Sequence, residues 1–172
     1  MSTIEDLERR IARLEDTRYW RDKPDPGIFA HYETNTATAM VHNTWTLIDY
    51  EDKITDTHSA VTVGAAWKFT CPIFGYYICD AEFTLVTSTG WGVGERALIA
   101  VYKNGVIYQT LGRGLVSDNS VPTTITVSAA GSITIPCKRG DYLTFYGFQN
   151  SGGDINLSGA AGGNYCTIYC RG

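Results

Sequence analysis

The sequence predicts an all-β domain, a sandwich or barrel of roughly ten short strands, preceded by one short N-terminal helix. Three observations predict it. Beyond residue 40, Thr, Val, Ile, Tyr and Phe alternate with polar residues in short runs, the period-two pattern of half-buried strands. Gly, Asn, Asp and Ser punctuate those runs at short intervals. Helical periodicity occurs only at the start of the chain, where Ile4, Leu7, Ile11 and Leu14 recur in a 4-3 alternation.

Composition bounds the rest. A chain of 172 residues suits one domain with a short appendage. With 44% hydrophobic and 19% charged residues it reads as globular, and no apolar run approaches the roughly 18 residues that span a bilayer, so membrane insertion is not expected. A net charge of −4 argues against a nucleic-acid partner, which needs clustered basic surface. The opening Met-Ser-Thr-Ile-Glu-Asp-Leu has neither the basic nor the apolar region of a secretory signal.

The helix comes first. Ser2 or Thr3 can cap it, Glu5 and Asp6 complement its first turn, and Pro24-Asp25-Pro26-Gly27 cannot continue it. The segments are therefore a stalk helix over residues 1–21, a linker over 22–40 and a head domain over 41–172. About two heptads cannot hold a coiled coil alone. Arg10-Ile11-Ala12-Arg13-Leu14-Glu15 resembles the R-h-x-x-h-E motif of short three-stranded coils, in which the Arg pairs with a neighbouring chain's Glu. Ile4, Leu7, Arg10, Ile11, Leu14 and Glu15 are thus the expected trimerisation residues. A lone amphipathic helix docked on its own domain is the competing reading.

Among the strands, Ala97–Lys103 and Val106–Gln109 joined through Asn104-Gly105 form the clearest hairpin, since Asn-Gly suits a type I′ turn. Further strands are expected at 41–48, 60–70, 76–87, 123–128, 132–137, 142–149, 154–158 and 164–171. Cys71, Cys79, Cys137, Cys166 and Cys170 lack CxxC pairs or adjacent histidines, so zinc is not expected, and most read as buried reduced thiols with one disulfide left open.

Trp67–Ile78, which contains Phe69-Thr70-Cys71-Pro72-Ile73-Phe74-Gly75-Tyr76-Tyr77, resembles the F-T-x-P-x-x-G-x-Y segment of complement-q globular heads and tumour necrosis factor-like domains. Val101–Gly105, Ile135–Leu143, and Leu157-Ser158-Gly159 followed by Tyr165–Arg171 then occur in that family's order. The resemblance covers about residues 40–172 and implies a ten-stranded jelly roll that packs as a trimer, often behind a trimeric stalk. It also raises calcium near a threefold apex, where Asp118 or Asp154 could supply oxygens, although no ligand cluster is visible and no cofactor is expected.

Chemistry is sparse. His31, His42 and His58 are isolated, and no nucleophile motif accompanies them, so an enzyme is not expected. Arg139-Gly140-Asp141 spells an integrin-binding tripeptide but reads better as a turn. Binding is expected instead on loops 88–95, 112–122, 150–154 and 159–164, with Trp91 as the leading contact and Arg96, Arg113, Asn119, Asn150 and Asp154 adding polar contacts. Trp91 packing beneath its own loop is the competing reading.

Stalk, linker and head together predict a homotrimeric bacteriophage tail-fibre or tail-tip protein. Such a protein would be assembled in the bacterial cytoplasm, joined to other tail proteins through its N-terminal helix, and would bind a surface glycan or protein of the host. The alternatives are a structural virion component without receptor binding and a cellular complement-q-like binding module.

Overall fold

A computed structural model describes residues 27–86, 91–116, 125–160 and 162–170. The expected stalk helix over 1–21 lies outside these residues. Thirteen strands, numbered in chain order, pair into two antiparallel sheets among the described residues, with no helix.

The first sheet is organised around β7 (Gly75–Val86). Along one edge β10 (Thr126–Cys137) pairs with its whole length, from Thr126↔Val86 to Cys137↔Gly75. Its other edge is shared by β13 (Tyr165–Cys170) and β12 (Ile155–Leu157). Beyond β13 lie β1 (Ile28–Glu33) and β4 (Asp52–Asp56), and β2 (Ala39–Met40) flanks β12. The second sheet runs β5 (Val61–Thr62), β6 (Lys68–Thr70), β11 (Tyr142–Gln149), β8 (Arg96–Lys103) and β9 (Val106–Leu115), with β3 (Thr46–Leu47) also on β11.

Period-two alternation decides which side chains enter the core. On β7, Tyr77, Cys79, Ala81, Phe83 and Leu85 are buried while their neighbours are not. Trp67, Phe69 and Phe145 meet them from the second sheet, each 0% exposed. The polar tips of two of the largest buried rings are satisfied: Trp67 Nε1 donates to Tyr50 O at 2.9 Å, and Tyr50 Oη donates to Glu82 O at 3.1 Å.

Several boundaries differ from expectation. Residues 28–40 are not linker: β1 lies between β13 and β4, with Ile28, Ala30 and Tyr32 buried, so the head begins by Ile28 rather than at residue 41. The stretch 60–70 divides into β5 and β6 because the chain turns at Gly64, whose φ is +95° and whose carbonyl accepts from Trp67 N. Conversely, β10 runs unbroken through Gly131. There the absence of a side chain admits Leu111 O of β9, which would lie 2.2 Å from a Cβ at that position. Gly112 likewise makes room for Ala130 O, 1.7 Å from a hypothetical Cβ, so the two sheets close along β9 and β10 almost backbone to backbone. Residues 112–115, expected in a loop, thus belong to β9. Asn104 and Gly105 both have positive φ, +53° and +79°, as a type I′ hairpin requires.

Candidate functional site

The outward side of the second sheet carries an uncommon surface. Solvated strand faces are ordinarily polar, yet β11 presents Tyr142, Tyr146 and Phe148 there, and β8 adds Leu98 and Tyr102. Tyr102 and Tyr146 stack with centroids 4.3 Å apart. Trp45, from the turn before β3, packs against Phe148 at 5.4 Å and Tyr102 at 6.3 Å. Ala100 lies on this outward side, opposite Tyr146, and is nevertheless 0% exposed. Burial, and then Tyr146, push the Tyr102 phenol above its ordinary value, so it stays protonated.

Cations border the rings. Lys68 Nζ sits 5.6 Å from the Tyr142 centroid. At the other end Arg113 pairs with Leu98 and Arg96 with Leu115, so the two exposed arginines are diagonal neighbours across β8 and β9. The six strands of this sheet carry Lys68, Arg96, Lys103 and Arg113 and no Asp or Glu. The seven strands of the other sheet carry Glu33, Asp52, Asp56, Asp80 and Glu82 against Lys53 alone. Lys103 is tied down, bonding Asp141 at 2.9 Å and Pro136 O at 2.6 Å.

Thr144, between Tyr142 and Tyr146 and opposite Tyr102, is 7% exposed, and its hydroxyl has no hydrogen-bond partner. An orphaned buried hydroxyl costs free energy, and this one lies among the rings of the platform.

The outward side of the first sheet is different. Phe29, Tyr169, Ile78 and Thr134 form a register row across four strands, and Tyr76 stands beside it, 65% exposed. Tyr76, Ile78, Thr134 and Tyr169 line a shallow pocket of about 450 Å³. The next row is polar, and there His31 Nδ1 meets Thr167 Oγ1 at 2.8 Å while Nε2 meets Glu33 at 3.3 Å.

The residues expected to bind separate on this geometry. Arg96 and Arg113 come together on the aromatic face. Asn150 is structural, its Oδ1 accepting from Arg96 N at 2.7 Å, and Asp154 Oδ1 accepts from His42 N at 2.9 Å. Trp91, expected to lead the contacts, is half-buried and packs against the core. Asn119 and Asp118 lie outside the described residues, and no group of three or more metal-ligating side chains occurs among the described ones. The Asp141 carboxylate of the Arg-Gly-Asp tripeptide accepts from Asn104, Lys138 N and Lys103, with Gly140 at φ +88°, so a turn occupies that position. Sequence reasoning missed Trp45, Tyr102, Tyr146 and Phe148 as a group. The signal was available in Tyr142-x-Thr144-x-Tyr146-x-Phe148, which puts rings on the face that Leu143 and Phe145 leave outward.

Two sheets with this strand pairing define the jelly roll of tumour necrosis factor-like and complement C1q-like domains. Solved structures of that class superpose on the chain. The Eiger TNF of S. frugiperda matches with a TM-score of 0.61 at 16% identity, covering 86% of this chain and 94% of its own. The globular domain of zebrafish complement 1qA matches at 0.54 and 12%, covering 83% and 94%. Murine APRIL matches at 0.53 and 15%, covering 84% and 98%. No protein-family model and no curated protein matches the sequence.

Proposed function

We propose that this chain forms the head of a homotrimeric bacteriophage tail-fibre or tail-tip protein that attaches to the host cell surface. The observation that carries this reading is the chemical difference between the two outward sheet faces. One offers a mixed apolar and acidic surface, with Phe29, Tyr76, Ile78 and Tyr169 exposed or half-buried, suited to packing against further copies. The other offers rings and cations suited to a ligand. The jelly-roll likeness and the 4-3 heptad pattern with its R-h-x-x-h-E motif support three copies, and trivalency raises weak affinities through avidity. The N-terminal segment would join other tail proteins.

The test is binding of fluorescently labelled protein to a panel of bacterial strains, after light scattering establishes its mass. Expected are a mass of about 57 kDa, three times 18.9 kDa, and saturable labelling of some strains. A monomer overturns the assembly, and a folded trimer that labels no strain overturns attachment in favour of a structural virion component. The named neighbours are animal TNF and C1q-type domains, which favours a second reading, a cellular complement-q-like binding module. Saturable binding to animal cells alone would support that reading.

A further inference from the structure

We infer that the outward face of the second sheet binds an acidic glycan, its sugar rings stacked along Trp45, Phe148, Tyr146 and Tyr102 and its anionic groups met by Arg96 and Arg113. The inference rests on the reading of the chain as a binding head and names the chemistry that its face would take.

Four observations converge on that occupant. Rings half-exposed on a rigid sheet offer apolar area at low entropic cost, which a pyranose can cover with its C–H face while its hydroxyls reach the phenols of Tyr102 and Tyr146. The strip is long rather than deep: the six steps from Arg96 to Tyr102 along β8 span about 20 Å, the length of a short oligosaccharide rather than of one metabolite. Charge selects an anion. A chain of net charge −4 has gathered on this sheet four cations and no carboxylate, and three of those cations, Lys68, Arg96 and Arg113, are free of the ion pair that holds Lys103. Finally, the unpartnered Thr144 hydroxyl lies among the same rings, where a small shift of Tyr102 or Tyr146 opens it to a sugar hydroxyl.

The full-length protein is titrated, with tryptophan fluorescence as readout, against an oligogalacturonate hexamer, a chondroitin sulfate hexasaccharide and a sialylated oligosaccharide, with maltohexaose as neutral control. At least one acidic probe binds and maltohexaose does not. Binding weakens about tenfold between low and physiological salt. The double variant Arg96→Gln/Arg113→Gln, altered at exposed positions, keeps the parent's thermal midpoint and loses at least about tenfold in affinity. Thr144→Val separates a ligand role from a structural one, because removing an orphaned hydroxyl raises the thermal midpoint while costing about fivefold in affinity for the same probe. Failure of all three acidic probes, equal binding of maltohexaose, or affinity unchanged in the arginine variant each overturns the acidic-glycan assignment. Saturable labelling of bacteria by that same preparation would then leave attachment standing with another ligand, whereas absence of labelling removes both.

Discussion

Asp141 shows how a single side chain can be read twice. In the sequence it completes an integrin-binding tripeptide; in the fold its carboxylate is held well below the usual carboxylate range by Asn104, then by Lys138 N and Lys103. A carboxyl whose folded pKa is depressed stabilises the fold above its unfolded value and loses that contribution as pH falls. The urea midpoint of the parent should therefore decline below about pH 4, and Asp141→Asn should flatten that decline. Lys103, raised first by its bond to Asp141, works with the opposite sign, its contribution being present below about pH 10 and lost above it. The cysteines form a second residue-scale group. All five are buried, as most were expected to be. Burial pushes the Cys79 and Cys166 thiols up, while the hydrogen bond from Cys71, followed by desolvation that opposes it and then Lys103, leaves Cys137 lowered. Native protein should leave all five unreactive toward a chromogenic disulfide reagent. As urea unfolds the chain all five should become reactive together, which the released chromophore would show.

At the scale of elements, legibility followed the range of the information. The hairpin through Asn104-Gly105 was readable because its turn chemistry is local, and β7 was readable because its alternation is strict. Strand β1 carries an equally clean alternation of Ile28, Ala30 and Tyr32, but its place depends on β13 at the far end of the chain, and the Pro-Gly punctuation before it reads as linker. The closure along β9 and β10 was illegible for a related reason. Gly112, Gly114 and Gly131 look like loop or break signals until two distant backbones are known to meet there. Gly112→Ala should cost roughly 3 kcal/mol, measured by equilibrium denaturation, because Ala130 O occupies the site of the new methyl and neither backbone can withdraw alone. The aromatic face was half legible. Its rings and their period stood in the sequence, but only the register of β3, β8 and β11 shows that Trp45, Tyr102, Tyr146 and Phe148 are one surface while Trp91 belongs to packing.

For the whole molecule, the two sheets divide the work of assembly and recognition under the proposed function. Tyr76→Asp tests that division. The side chain is 65% exposed, so the substitution leaves the monomer's core intact while placing a carboxylate against a neighbouring copy. Light scattering should report a fall from about 57 kDa to the 18.9 kDa of one chain, with an unchanged circular dichroism spectrum. Retention of the full mass would move the contact between copies away from this sheet.

The position of β1 has a mechanical consequence. Its first residue, Ile28, pairs with Cys170 near the C-terminus, and the strand is hydrogen-bonded on both sides, to β13 and β4. A pull transmitted through Gly27 therefore runs along β1 and nearly at right angles to its ladder bonds. The two ladders share such a load in shear rather than parting one bond at a time, so under the proposed function a tethered particle in flow would strain the domain in the direction in which it yields last.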